Sequence, residues 1–347
     1  MRVAYVCEGA GALGWGHLTR GYALWEAARD AVTIVVGRGR DEFGAWARQR
    51  GIAVPVAPWR ASDMPLDPAT LDYDLVIVDD YFLDEKWIAD VTTQRPTFVF
   101  DDWMRRLVRA TGLINPNLGA SREDYPDSHV QQWMLGPQYA LIRREVREAA
   151  PSPVCREVAA RVLVTFGGSD PDGRTAVVTE ALTQLPWYAD GGSVTVVLGT
   201  SYAGDEPWRR WSSRHVERME VLRRPNDFVA RCRSADLVIC SASTTTYELA
   251  LLGRPFLPVA VVENQARVGA AWAERGVGRG LCAWADDWLQ LLLDDVSQLT
   301  QAGTRRADVA ASASQIVDGR GAERLLRVLE DAAAASAPAR APRGSRP

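Results

Sequence analysis

Short apolar runs alternate along this chain with stretches of helical period, a pattern that calls for parallel α/β units. In the front half the strands read Val3–Cys7, Val32–Val36, Leu75–Val78, Thr97–Phe100 and Gly112–Asn115, with helices over His17–Arg29, Asp41–Arg50 and Asp84–Thr93. The rear half repeats the pattern. Its strands read Val162–Phe166, Val194–Leu198, Leu237–Cys240 and Phe256–Val261, and its helices Arg174–Leu185, Asn226–Ala235, Thr246–Leu252, Ala266–Glu274 and Asp318–Ala334. A chain of 347 residues is long enough for two such units, each with its own core. The proline-rich break Ala149–Pro153 divides a front domain, 1–150, from a rear domain, 151–334. Residues 335–347 are Ala, Pro, Arg, Gly and Ser, which cannot bury enough apolar surface to order themselves, so a disordered tail is expected.

Composition narrows the function classes. A net charge of −4 gives no global attraction to nucleic acid or to an anionic membrane, so an anionic ligand must be met by local arginines and backbone amides. The five cysteines are scattered and form neither a metal-ligand spacing nor a disulfide framework. The N-terminus runs straight into a strand without a signal peptide, and no apolar run is long enough to span a bilayer. The expectation is a cytoplasmic protein with no nucleic-acid partner, no membrane insertion, no metal and no cofactor.

Two glycine turns follow apolar strands. The first, Gly9-Ala10-Gly11-Ala12-Leu13-Gly14, has the spacing of a dinucleotide fingerprint. That fingerprint needs a helix starting near its second glycine, where Gly14 and Gly16 would each cost about 1 kcal/mol as interior helix residues. The helix therefore reads from His17. The next strand ends in Gly37-Arg38-Gly39-Arg40, with no acidic residue for a ribose, which argues against a nicotinamide enzyme. His17, one of three histidines, stands at the helix start, where a neutral imidazole can act as a base near pH 7. His129 and His215 stand in polar segments and receive no role.

In the rear half, Gly167-Gly168-Ser169 and Ser241-Ala242-Ser243-Thr244-Thr245-Thr246 each follow a strand and precede a helix. Ser and Thr there serve as helix caps, or present amides and hydroxyls to a diphosphate. Neither turn is a lysine-containing P-loop. Glu248, just inside the helix, either complements the macrodipole or accepts from ribose hydroxyls. In front, His17, Asp80 and Tyr81 could surround a reacting carbon. Asp79 and Asp80 invite a magnesium reading as paired carboxylates, but no acidic partner supports it, and one of the two is expected to be structural.

The motifs Gly14-Trp15-Gly16-His17-Leu18-Thr19-Arg20, Val78-Asp79-Asp80-Tyr81, Phe100-Asp101-Asp102, Tyr139-Ala140-Leu141-Ile142-Arg143, Phe166-Gly167-Gly168-Ser169-Asp170, Ser241 to Glu248 and Glu263-Asn264-Gln265 occur in that order. The run resembles the hydrolase of pseudaminic acid biosynthesis, which cleaves UDP-2,4-diacetamido-2,4,6-trideoxy-beta-L-altropyranose. The resemblance spans most of residues 1–280. It implies an α/β, GT-B-like fold of two facing Rossmann-like domains with parallel sheets, similar to the glycosyltransferase that completes lipid II. It also implies metal-independent cleavage of an anomeric C1–O bond. His17 would activate water. Gly14, Gly16, Arg20, Tyr81, Asn264 and Gln265 would line the sugar side. Gly167, Gly168, Ser169, Ser243, Thr244 and Thr245 would hold the diphosphate, and Glu248 the ribose. The family reads Asp-His-Tyr where this chain has Asp79-Asp80-Tyr81, so an anion stands beside the sugar and could raise the basicity of His17.

The expected partner is a nucleoside diphosphate sugar, with UDP the expected nucleotide. Attack by water opposite the leaving group would invert the anomeric centre. A GT-B glycosyltransferase passing the sugar to a small acceptor is the alternative, and a sugar-nucleotide binding protein without catalysis is the second.

Overall fold

The computed structural model describes residues 1–7, 16–28, 31–36, 44–45, 47–48, 56–58, 73–81, 83–104, 107–149, 151, 156–168, 170, 172–199, 202, 208 and 217–336. Gly14, Ser169 and His215 lie outside the described residues, as do parts of the expected helix Asp41–Arg50, of the break at Ala149–Pro153 and of the tail.

The strands form two all-parallel sheets. The front sheet contains β1 (Val3–Cys7), β2 (Val32–Val36), β3 (Val56–Pro58), β4 (Leu75–Asp79), β5 (Thr97–Phe100), β6 (Arg109–Asn115) and β7 (His129–Leu135), in the order β3-β2-β1-β4-β5-β6-β7. The rear sheet contains β8 (Arg161–Thr165), β9 (Ser193–Leu198), β10 (Met219–Arg223), β11 (Leu237–Ser241), β12 (Phe256–Ala260) and β13 (Leu281–Cys282), in the order β10-β9-β8-β11-β12-β13. Both are doubly wound sheets, whose strand order reverses beside the first strand. Ligands of such sheets bind beyond the carboxyl ends of the strands at that reversal. In front this is the β1/β4 gap, and in the rear the β8/β11 gap.

The helices that matter here are α1 (Gly16–Ala28), α2 (Glu85–Gln94), α3 (Arg174–Leu182), α4 (Phe228–Ser234), α5 (Thr244–Leu251), α6 (Ala266–Ala273), α7 (Trp288–Gln301), α8 (Gly303–Ser314) and α9 (Gly321–Ser336). Parallel strands are buried on both faces, which is why they read as continuous apolar runs. On β1, Val3 and Tyr5 pack with Leu18 and Leu24 of α1, while Ala4 and Val6 face Trp87, Ile88 and Val91 of α2. The rear sheet is covered in the same way. Val162 and Val164 pack with Val178 of α3 and Leu292 of α7, while Leu163 and Val238 face Leu249 of α5 and Trp272 of α6.

Helix α1 lies close on β1 because Gly21 has no side chain. A Cβ there would stand 2.8 Å from the Tyr5 ring. That approach brings His17, one turn earlier, and Arg20, the residue before, over the end of β4.

The halves are interleaved near residues 139–146. Ala140, Ile142 and Val146 belong to the rear core, whereas Leu141 and Tyr139 pack in the front one. Helix α9, placed with the rear half by sequence, packs Leu325, Leu329 and Ala332 against Val3 and Tyr5 in front. Its start touches the crossing strap, since a Cβ on Gly321 would fall 2.2 Å from the Ala140 carbonyl oxygen. Among the described residues, no helix is long and apolar enough to cross a membrane.

Candidate functional site

A cavity of about 320 Å3 opens between the two sheets. The front contributes Gly16, Arg20, Tyr81, Asp102 and Trp103, and the rear Ser243, Thr244, Tyr247, Glu263, Asn264 and Gln265. Both reversal points therefore border one space. Four contacts tie its walls together. The Tyr247 hydroxyl accepts the Leu118 N–H at 2.8 Å, and Asn264 Nδ2 donates to Tyr81 Oη at 3.3 Å. Arg267 donates to the Gly119 carbonyl at 2.7 Å, and the Arg143 guanidinium meets both oxygens of Glu248 at 2.8 and 3.0 Å.

The front wall is organised around Asp79, the last residue of β4. One of its oxygens accepts from His17 Nδ1 and from Arg20 Nη2, each at 2.6 Å. The other accepts from Arg20 Nε at 2.9 Å and from the Tyr5 hydroxyl. Burial would push the Asp79 carboxyl up, but the Arg20 guanidinium and the His17 ring overcome this and hold it well below the usual carboxylate range. An ionised carboxylate can only accept, so the proton of the neutral His17 ring sits on Nδ1 and Nε2 keeps its lone pair. The 3.0 Å approach of Arg20 Nη2 to His17 Nδ1 then brings two donors to the same carboxylate oxygen.

Arg20 extends the cluster, since its Nη1 donates to Asp102 Oδ2 at 2.7 Å. The other oxygen of Asp102 accepts the Tyr81 hydroxyl at 2.5 Å. Burial, and then the Asp102 charge, push the Tyr81 phenol up, so its proton stays in place near neutral pH. Its ring meets the edge of His17 with centroids 4.6 Å apart, and that of Trp103 at 5.3 Å.

Expected site residues are placed unequally. Gly16, Arg20, Tyr81, Ser243, Thr244, Asn264 and Gln265 border the cavity. His17 is only 3% exposed and lies behind Tyr81, not among the described lining residues. The carboxylate that holds its ring is Asp79. Asp80, expected beside the reacting sugar, instead accepts the Leu83 N–H at 3.0 Å in the turn leading to α2. Asp79 also has both oxygens occupied by protein donors, which removes the residue-level basis for a magnesium pair. Gln265 accepts the Val261 N–H at 3.0 Å and so shapes the loop after β12.

In the rear, α5 begins at Thr244, two residues before its expected start, so Glu248 stands in the second turn and not at the macrodipole end. It is buried, paired with Arg143, and does not border the cavity. The amides of Thr244 and Thr245 belong to the first turn, where a helix leaves N–H groups without intrahelical acceptors. Ser243 Oγ is bonded to Ser241 Oγ at 2.9 Å and does not cap the helix. Gly167 lies beside them with φ +86°, and a Cβ on it would be 3.7 Å from Ser241 Oγ. Gly199, just after β9, backs this turn, packed against the Gly167 and Gly168 carbonyls. Thr245 and Gly168 are half-buried and, like Gly167, do not border the cavity. Asp102 and Trp103 carry no role in the sequence reading, although Asp102 lies beyond the end of β5, within the Phe100-Asp101-Asp102 motif.

No family model matches this chain. A curated relative, the spore coat polysaccharide biosynthesis protein SpsG of Bacillus subtilis, is 25% identical over 198 residues, covering 56% of this chain and 57% of the relative. The match spans just over half the length of the curated relatives. Among solved structures, a putative UDP-N-acetylglucosamine 2-epimerase from Listeria monocytogenes aligns with a TM-score of 0.62 at 13% identity, covering 95% of this chain and 96% of that one. Anabaena Alr3699/HepE in complex with UDP-glucose aligns with a TM-score of 0.57 at 16% identity, covering 95% and 100%. The two facing Rossmann-like sheets are thus the GT-B architecture.

Proposed function

We propose that the cleft binds a nucleotide-activated sugar and cleaves its anomeric C1–O bond by attack of water. The observation that carries this reading is the meeting of both sheet reversals at one cavity, with first-turn amides on one wall and a buried His–Asp–Arg cluster on the other. Two likenesses support it: Anabaena Alr3699/HepE is a structural neighbour in complex with UDP-glucose, and SpsG is named for polysaccharide biosynthesis.

In this reading the rear domain holds the nucleotide. The Thr244 amide and the Ser243 hydroxyl, which border the cavity, take the diphosphate, and for the Thr245 amide and the Gly167-Gly168-Ser169 turn to join them it must reach past the cavity's present border. Fixed dipoles at a helix start favour the charge that develops on the leaving oxygen. Glu248 reaches the ribose if one of its oxygens leaves Arg143. The front domain holds the sugar, with Tyr81, Asn264 and Gln265 beside it. Water attacks C1 from the face opposite the diphosphate. Its proton passes to His17 Nε2, and the C1–O electron pair leaves with the nucleoside diphosphate. The Asp79 carboxylate stabilises the imidazolium that forms, having already fixed the tautomer. His17 does this at the wall between Gly16 and Tyr81, so the sugar must press against that wall.

The test is incubation with UDP-, TDP- and GDP-sugars, followed by NMR. Nucleoside diphosphate and free sugar should appear without an added acceptor, the sugar first in the inverted configuration. Release only when an acceptor is added would make the protein a transferase, and binding without release a binding protein. His17→Ala should stop turnover while nucleoside diphosphate affinity stays within about threefold. Loss of both together would contradict the division of labour between the halves.

A further inference from the structure

We propose that Asp102 sets the sugar specificity of this cleft, admitting rings that present hydroxyl, amide N–H or ammonium donors and rejecting rings that carry a carboxylate. The proposal rests on reading the cleft as a sugar-nucleotide site and adds the class of sugar.

Among the described residues that border the cavity, the charged ones are Arg20, Asp102 and Glu263. The Arg20 charge is already matched. Its Nε and Nη2 are on Asp79 and its Nη1 is on Asp102, so one cation lies between two carboxylates. Asp102 therefore shares its one guanidinium counter-charge with Asp79 and presents negative charge to the cavity from a largely buried setting. Water screens it weakly there.

The hydrogen-bond polarity points the same way. An ionised carboxylate is acceptor-only, and each Asp102 oxygen has a lone pair beyond the one used by Arg20 or Tyr81. The Tyr81 proton is committed to Asp102, so its oxygen can only accept from any other group. Asn264 already uses it in that sense. With Nδ2 directed to Tyr81, the amide oxygen of Asn264 adds another acceptor. The indole of Trp103 stands edge-on to Tyr81 and lines the cavity next to these acceptors, completing a wall of acceptors and aromatic surface. A ring hydroxyl or an amino substituent finds partners on this wall. A ring carboxylate brings a like charge and no proton to donate.

The experiment measures binding of UDP, UDP-glucose, UDP-glucosamine and UDP-glucuronate by calorimetry to the intact chain. UDP-glucuronate should bind at least tenfold more weakly than UDP-glucose, with UDP-glucosamine at least as tight as UDP-glucose. Asp102→Asn keeps the shape and one acceptor oxygen, and should bring the glucuronate and glucose affinities within about threefold while UDP binds as before. Asp102→Glu restores the charge and should restore the discrimination. Equal binding of UDP-glucose and UDP-glucuronate by the parent protein, or unchanged discrimination in Asp102→Asn, would overturn the proposal while leaving the sugar-nucleotide reading intact. Failure of UDP and all three sugar nucleotides to bind would overturn both.

Discussion

Replacing Asp79 by Asn tests the physical core of the front wall. The substitution keeps the shape and removes the charge that four donor groups share: the Tyr5 hydroxyl, His17 Nδ1, and Arg20 Nε and Nη2. An asparagine offers one acceptor oxygen and turns an NH2 group against the Arg20 guanidinium, which can only donate. Breaking a buried ion pair by removing one partner costs about 3–5 kcal/mol. Arg20 keeps Asp102 as a counter-charge, which places the expected loss near the lower end, about 3 kcal/mol. At roughly 2–4 °C per kcal/mol for a domain of this size, the front half should melt about 6–12 °C lower at pH 7. The pH dependence has a definite sign. The folded Asp79 carboxyl lies below its unfolded value, so its contribution is complete above about pH 4 and is lost as the pH falls through the folded value. Parent and variant should therefore converge in acid. Thermal unfolding followed by circular dichroism at pH 7 and pH 3 reads both effects. A shift below 2 °C at pH 7, or a gap that widens in acid, would refute the reasoning.

Two further substitutions probe the supports of the cleft. Tyr247→Phe removes the acceptor for the buried Leu118 N–H, the tie from α5 to the front half, and should cost about 1–3 kcal/mol in urea unfolding. A loss under about 0.5 kcal/mol would mean that this tie carries little load. Gly199→Ala would put a Cβ 2.1 Å from the Gly167 carbonyl oxygen and 2.3 Å from that of Gly168, a backbone clash that only displacement of the turn can relieve. It should destabilise the rear half by about 1–3 kcal/mol and weaken UDP binding, whereas unchanged UDP affinity in a folded variant would detach that turn from the diphosphate.

What was legible in the sequence follows from where each strand sits. The nine expected strands are all found, and they are the interior strands of the two sheets. Those not foreseen, β3, β7, β10 and β13, are the four sheet edges. An edge strand lacks a neighbour on one side and is often short or half-exposed, so Met219–Arg223 mixes Glu and Arg with its apolar residues and shows no continuous run. Helix α7 had a readable signal in Trp288, Leu292, Val296 and Leu299, spaced for one buried helical face. The roles of Asp79 and Asp80 were also recoverable. Residues 75, 77 and 79 alternate onto one face of β4, and Leu75 and Ile77 pack in the core that contains α1. Asp79 continues that face toward His17, and Asp80 does not. The Arg143–Glu248 pair could not be read this way, because its partners are 105 residues apart and meet only once the two halves pack.

The two walls of the cavity differ in chemical sense, and this bears on ligand orientation. On the rear wall, the first turn of α5 offers N–H donors at the positive end of a helix, a setting that favours an anion. On the front wall, Asp102 and Tyr81 Oη accept, and the nearest cation, Arg20, is shared between two carboxylates. A molecule anionic at one end and rich in donors at the other gains from both walls in one orientation and loses at both when reversed. A sugar nucleotide has that polarity, with its diphosphate separated from the ring hydroxyls by the anomeric carbon. Seated in the favoured sense, it places that carbon between the α5 amides and the Gly16–Tyr81 wall, behind which His17 is held by Asp79.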